Sequence, residues 1–257
     1  MRHVRSYPVL LKLISTIGEH LMHSRLDEGN PYFNGEYVSQ VKHKVTTYEK
    51  VTKPIIDRVL AFLGLVLLSP VFLILALAVI IDDPGNVTFS QKRVGRGRHF
   101  FKLHKFRSMK MCTPHDVPTH QLENPEQYIT RVGGFLRKTS LDELPQIWDI
   151  FTGKMSIIGP RPALWNQYDL VAERDKYAAN DVKPGLTGWA QINGRDELEI
   201  PVKAKLDGEY IKALEQGGFK AFAFDVKCFC GTIFSVAKAE GVVEGGTGEL
   251  HKKEKNL

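Results

Sequence analysis

Cysteine is scarce in this chain of 257 residues, with Cys112, Cys228 and Cys230 the full set. An odd number without paired CxxC spacing excludes a disulfide framework and a zinc ribbon, and it suits a reduced body facing the cytosol. The phosphate-cradling order GxxxxGK[ST] is also missing, because "GKMS" starts at Gly153 while position 148 is Trp148. "GRGRHF" lacks the third glycine of a dinucleotide fingerprint. At the amino end, "MRHVRSYPVLLKLISTIGEH" opens on basic residues, but Lys12 interrupts the apolar stretch and no small-residue cleavage site follows. That argues against a cleaved signal peptide. Leu10, Ile14, Ile17 and Leu21 keep helical spacing and predict a short amphipathic helix.

Acidic residues are in the minority, 29 against 35 lysines and arginines, which gives a formal charge of +6. A basic balance favours anionic partners, whether nucleic acid, acidic lipid head groups or phosphorylated small molecules. Charge is missing altogether from residues 59–81, "VLAFLGLVLLSPVFLILALAVII". As a helix this run is roughly 34 Å long, enough to enter a membrane and longer than soluble cores require. Ser69 and Pro70 stand at its centre, where proline removes a helical hydrogen bond and predicts a kink. Lys50, Lys53 and Arg58 precede the run, and Lys92, Arg93, Arg96 and Arg98 follow it, so the positive-inside rule gives no orientation for a crossing helix. Two forms stay open, a kinked spanning helix and a re-entrant hairpin with both flanks at one leaflet; the re-entrant form is preferred.

Beyond the run, "DDPGN" is a turn and "VTFSQKRVGRGRHFFKLHKFRSMK" alternates as two strands joined by a glycine-containing loop, a β-hairpin with a basic rim. The period of two puts Lys105 and Arg107 on one face and Phe106 on the other. Such a face serves equally as ligand-binding surface or as a solvated strand near anionic lipid. Residues 113–124 read as a mobile loop in which His115 and His120 carry no assignment.

The chemistry-bearing candidates cluster in "RKTSLDELPQIWDIFTGKMSIIGPRP", where Asp142 and Glu143 are adjacent between Arg137 and Arg161. Ser140-x-x-Glu143 matches a capping box, which would make Glu143 a helix cap. Pro145 opposes that register, since it would fall inside the helix and cost a hydrogen bond, so a later helix start is expected. An ionised aspartate attacks phosphorus when arginines and a divalent cation screen its target, and arginine's planar fork suits phosphate oxygens. The turn-rich segment "KPGLTGWAQINGR", residues 183–195, reads as a nucleotide- or phosphate-holding segment or as an ordinary connection.

Four pieces in order carry a resemblance: Ser69-Pro70 in its apolar run, "QKRVGRGRHFFKLHKFRSM", "RKTSLDELPQIWDIFTGKMSIIGPRP" and "KPGLTGWAQINGR". Over about residues 50 to 240 the chain resembles the bacterial sugar transferases called monotopic phosphoglycosyl transferases. The resemblance implies transfer of a sugar 1-phosphate from a UDP-sugar to undecaprenyl phosphate, with UMP released, as the first membrane step of surface glycan assembly. It implies Asp142 as the nucleophile that forms a covalent phosphosugar intermediate and Glu143 as its partner acid. Mg²⁺ is the implied cofactor, held at least partly by Asp142. Substrate contacts fall to Arg137, Pro160, Arg161, Gln191 and Arg195, with Lys105 and Arg107 from the hairpin. The Ser69-Pro70 break becomes a re-entrant helix at the bacterial cytoplasmic membrane, with the catalytic domain on the cytosolic face. Membrane lipids are then partners and nucleic acid is not, and there is room for a homo-oligomer and for downstream glycosyltransferases.

Two departures accompany the resemblance. "DELEIPVKAKLDGEY" keeps the Asp207-x-x-Tyr210 element of relatives but lacks the tryptophan often found before it. Larger relatives carry a multi-helix membrane region and a nucleotide-binding-like domain at the amino end, whereas residues 1–49 here form only an extension. The expected organisation is that extension, a re-entrant membrane helix at 50–82, a catalytic domain at 83–242 with interfacial helices, and a flexible tail at 243–257. The expected fold is α/β or α+β, dominated by helix, with a small β-hairpin. "FKAFAFDVKCFCGTIFSVAKAEGV" reads as an interfacial helix, with a helix packed on the core as the alternative. A catalytically silent, membrane-anchored scaffold of a glycan-assembly complex is the rival function.

Overall fold

The computed structural model describes residues 26–33, 41–114, 124–194 and 198–238. The expectations for residues 1–25, for His115 and His120, for Arg195 and for the tail lie outside the described residues.

A π-helical turn, Tyr48–Thr52, runs into α1 (Lys53–Leu67), and α2 (Ser69–Asp82) follows after Leu68. The two arms bend by 62°, and among the described residues no single helix is long and apolar enough to cross a membrane. The bend has a local cause. Pro70 has no N–H to give Val66, four residues back, and the Ser69 hydroxyl donates to the Val66 carbonyl at 2.8 Å instead. The carbonyl is satisfied although the helix is broken.

Strands β1 (Thr88–Val94) and β2 (Phe100–Phe106) pair antiparallel in the register Thr88↔Phe106 to Val94↔Phe100. Their link includes Gly97 at φ 62°, a left-handed conformation that suits glycine. This is the hairpin that the alternation predicts. β2 ends at Phe106, and Arg107 turns its guanidinium to Asp83 and to the Asn86 carbonyl, so it does not share the surroundings of Lys105. The period-two expectation for that pair stops where the strand stops.

Helix α3 (Arg131–Lys138) is capped by the Thr130 hydroxyl, which accepts from Gly133 N at 2.9 Å. A single 3₁₀ turn, Leu141–Glu143, separates it from α4 (Gln146–Phe151). Then come β3 (Ser156–Ile158), α5 (Tyr168–Asp175), β4 (Gly185–Thr187), α6 (Trp189–Ile192), α7 (Ile200–Glu215) and α8 (Gly218–Lys238). Helix dominates, as expected, and β3 and β4 add a two-stranded parallel pair that the sequence does not announce. That pair depends on glycine: a Cβ on Gly185 would lie 2.2 Å from Gly159 N, and one on Gly188 would lie 2.2 Å from Gly159 O. Two backbones meet there where no side chain fits.

The bent pair straddles the body. Ala61 of α1 packs with Phe101, Leu103, Ile150 and Met155, while Leu75 and Val79 of α2 pack with Phe106 and Leu136. Leu136 is fully buried, so its truncation to alanine would cost about 2–5 kcal/mol. A buried polar network fixes the start of α1: Asp225 accepts from Tyr48 and Lys53 at 2.7 Å each and from Tyr210 at 3.0 Å, while Asp57 accepts from Ser156 at 2.6 Å. The outward faces are apolar. Leu67 is 75% exposed, Ile74 64% and Ile81 81%, and on α8 Phe219 and Phe234 are exposed while Ala221 and Cys228 are buried. Helix α8 therefore packs on the core with one face, as the core-packed reading has it, and shows aromatics on the other.

Candidate active site

Ser140 adopts a left-handed conformation at φ 57° and makes no side-chain cap. The capping-box reading therefore fails. Helix α4 begins after Pro145, the later start that the proline demands. Without a capping duty, Glu143 turns its carboxylate away from the backbone.

Leu141 and Leu144, on either side of the acidic pair, pack into the cluster built around Leu75, Val79, Phe106 and Leu136. They pin the turn against α2 and leave Asp142 and Glu143 facing β2 and the "GPRP" turn. Lys105 Nζ lies 2.8 Å from Glu143 Oε1 and 3.3 Å from Asp142 Oδ2. Arg161 grips Glu143 with both prongs, at 2.5 Å to Oε1 and 3.3 Å to Oε2. Burial pushes the Glu143 carboxyl up, but the charges and hydrogen bonds of Arg161 and Lys105 more than reverse this and hold it well below the usual carboxylate range. Glu143 is thus a fixed anion with two close contacts and a third at 3.3 Å. Asp142, 7% exposed, has one longer contact from the shared lysine.

The remaining candidates are dispersed. Arg137 Nε donates to Ser108 Oγ at 2.9 Å, and its described contacts do not include the acidic pair. Pro160 lies at the end of the glycine contact, with its carbonyl accepting from Gly185 N at 2.9 Å. Both heteroatoms of the Gln191 amide are buried without a partner, and Oε1 would stand 3.2 Å from a Cβ on Gly188, beside the Gly159 backbone. A buried amide left unpaired is unusual enough to mark a place where a polar group can be added. Two residues escaped the sequence reading in their present role. Arg174 donates to the Arg161 carbonyl at 2.9 Å, and Asp207, read only as part of a recurring element, accepts from Arg174 Nε at 2.8 Å. No local pattern marks this relay, because its members lie on different helices.

Among the described residues no group of three or more His, Cys, Asp or Glu side chains gathers as a metal cage. Two adjacent carboxylates with hard oxygen donors still suit Mg²⁺, which is commonly held by one or two carboxylates together with substrate phosphates.

The family profile described as "Bacterial sugar transferase" matches residues 48–239. The chain belongs to the bacterial sugar transferase family. Its residues 48–239 include every element from the π-helical turn through α8. This family member is 39% identical over 228 residues to the UDP-glucose:undecaprenyl-phosphate glucose-1-phosphate transferase of Escherichia coli strain K12, covering 84% of the chain and 46% of that relative. It is 43% identical over 149 residues to the Xanthomonas campestris protein of the same name, covering 57% of the chain and 31% of the relative. Against the exopolysaccharide production protein ExoY of Sinorhizobium fredii it is 33% identical over 176 residues, covering 63% of the chain and 77% of that protein. The chain thus spans less than half the length of the first two relatives.

Proposed function

We propose that this family member transfers a sugar 1-phosphate from a UDP-sugar to undecaprenyl phosphate and releases UMP. The observation that carries the reading is the placement of Asp142: a nearly buried carboxylate shares Lys105 with an arginine-clamped glutamate, on a turn whose flanking leucines pack on the bent apolar pair. A water-soluble donor and a lipid acceptor can both reach such a position. The names of the relatives support UDP-glucose as the first donor to test.

Asp142 attacks the sugar-bearing β-phosphorus, an aspartyl oxygen–phosphorus bond forms, and the bridging oxygen–phosphorus bond breaks as UMP leaves with the electron pair. An oxygen of the lipid phosphate then attacks the same phosphorus and displaces Asp142, so the carboxylate is regenerated and no net proton is consumed. Lys105 and Arg161 supply positive charge where the phosphate oxygens gather. Glu143 holds those two cations in place. When bound, Mg²⁺ would be held by Asp142, with Glu143 adjacent, and would neutralise diphosphate charge. The unpaired Gln191 amide supports a further contact to the donor.

The apolar outer faces of α1, α2 and α8 support a monotopic placement: the bent pair dips into the cytoplasmic leaflet and returns, leaving the site on the cytosolic side. The test uses purified protein in nanodiscs with Mg²⁺ and UDP-glucose carrying radiolabel in the β-phosphate. Labelled protein should accumulate without undecaprenyl phosphate and discharge when it is added. UMP release without labelled protein would remove the aspartyl route, and no release from a panel of UDP-sugars would favour the scaffold. Mn²⁺ electron resonance, weakened by Asp142→Ala, gives the metal a readout separate from activity.

A further inference from the structure

Three successive carbonyls of the "GPRP" turn are each held by a distant group. Pro160 O accepts from Gly185 N at 2.9 Å, Arg161 O from Arg174 Nη1 at 2.9 Å, and Pro162 O from Arg93 Nη1 at 3.1 Å. With the backbone so fixed, only the Arg161 side chain reaches forward to Glu143. Of these three donors, Arg174 is the one anchored by a fully buried carboxylate: its Nε and Nη2 lie 2.8 and 2.7 Å from Asp207 Oδ2, and Asp207 is 1% exposed. Helix α7 brings Asp207 close because its neighbour is glycine; a Cβ on Gly208 would lie 2.7 Å from the Tyr177 side chain just after α5.

We propose that Arg174, locked by Asp207, is a positioning residue that sets the Arg161 fork against Glu143 and thereby fixes the charge presented to the donor diphosphate. This rests on the transferase reading. Arg174 touches no reacting atom. Its work is done through the Arg161 carbonyl, and Asp207 directs it because one carboxylate oxygen takes two guanidinium nitrogens and leaves Nη1 aimed at the turn. Lysine cannot reproduce that fork, since a single ammonium has no rigid plane with which to serve both partners. Asp207, read from the sequence only as part of a recurring element, thereby gains a role.

Removing either charge alone would strand its partner in the interior and destabilise the fold, so the informative variant is the pair Arg174→Met with Asp207→Leu, which removes both together. Two readouts are taken on full-length protein in nanodiscs. The first is hydrogen exchange in peptides spanning residues 156–166, which is expected to quicken at Gly159 and Leu164 although the melting temperature stays near that of the parent. The second is a kinetic cycle against Arg161→Ala. The paired variant is expected to lower kcat for UMP release by about tenfold with KM changed less, while adding nothing further once Arg161 is alanine. Arg174→Lys should fall between parent and paired variant. Unchanged exchange overturns the proposal whatever the activity, and so does a loss that multiplies fully with that of Arg161→Ala. Absence of UMP release from the unaltered protein counts against the transferase reading alone, and the exchange measurement still decides whether Arg174 holds the turn.

Discussion

The bent helix pair and the acidic cradle invert each other. In α1 and α2 the large apolar side chains face outward and a backbone break is satisfied by a nearby serine. In the cradle the charged side chains face inward, and their partners come from residues far away in the chain. The first region is built from local signals and turns apolar surface outward, and the second is built globally to hold charge still. Ion pairs at the surface contribute little because solvent screens them, whereas buried pairs leave a large penalty when one partner is lost. Damage to the cradle should therefore be sharp and chemical, while damage to the helix pair should change location first.

The largest effect expected on this contrast is that of Asp142→Asn. It keeps the shape of the side chain, removes its charge, and should lower UMP release by about 10⁴-fold with little change in melting temperature. Release at the parental rate would move the nucleophile elsewhere. Next comes Leu73→Lys with Ile74→Lys, which puts two charges on the outward face of α2. Each costs about 2.5–3.5 kcal/mol in a bilayer interior, so flotation with anionic liposomes should fall steeply while donor binding survives. Undiminished flotation would mean that α2 stays out of the bilayer.

A smaller effect is expected from Pro70→Ala, which restores an N–H to the helix and should straighten the 62° bend. Cysteines placed at Thr52 and Gln91 should be labelled from the same side of intact cells in the parent, and increasingly from opposite sides in the variant. Smallest is a pH effect at the edge of the body, where His43 lies 2.5 Å from Glu49 and 3.2 Å from Glu215. Burial pulls the His43 pKa down, but the two glutamates more than reverse this, and it stands above 6.5. Its contribution to stability is therefore fully present below the unfolded value and is lost as pH rises through the raised folded value. The melting temperature should decline on the alkaline side, and His43→Gln should flatten that decline.

How much of this was legible follows from how far each signal extends along the chain. The apolar run with its Ser69-Pro70 break and the alternating hairpin are patterns of neighbours, and the structure follows them. Ser140-x-x-Glu143 is also a pattern of neighbours, yet it misleads, because a left-handed serine and the following Pro145 make the same letters a 3₁₀ turn. Arg107 shows the opposite failure: the period of two was sound, but the strand ended one residue earlier. Strands of three residues carry no period, so β3 and β4 were invisible. The hold of Arg174 and Asp207 on Arg161 exists only after α5 and α7 have packed, and no window along the sequence contains it.

The hydroxyl of Ser69 makes the elbow self-contained. A proline break depends on water, on a neighbouring helix or on a nearby hydroxyl to quench the carbonyl it exposes. Here the quencher is the preceding residue. The elbow therefore carries its own substitute for solvent, and the means of satisfying its break lies within residues 66–70 themselves.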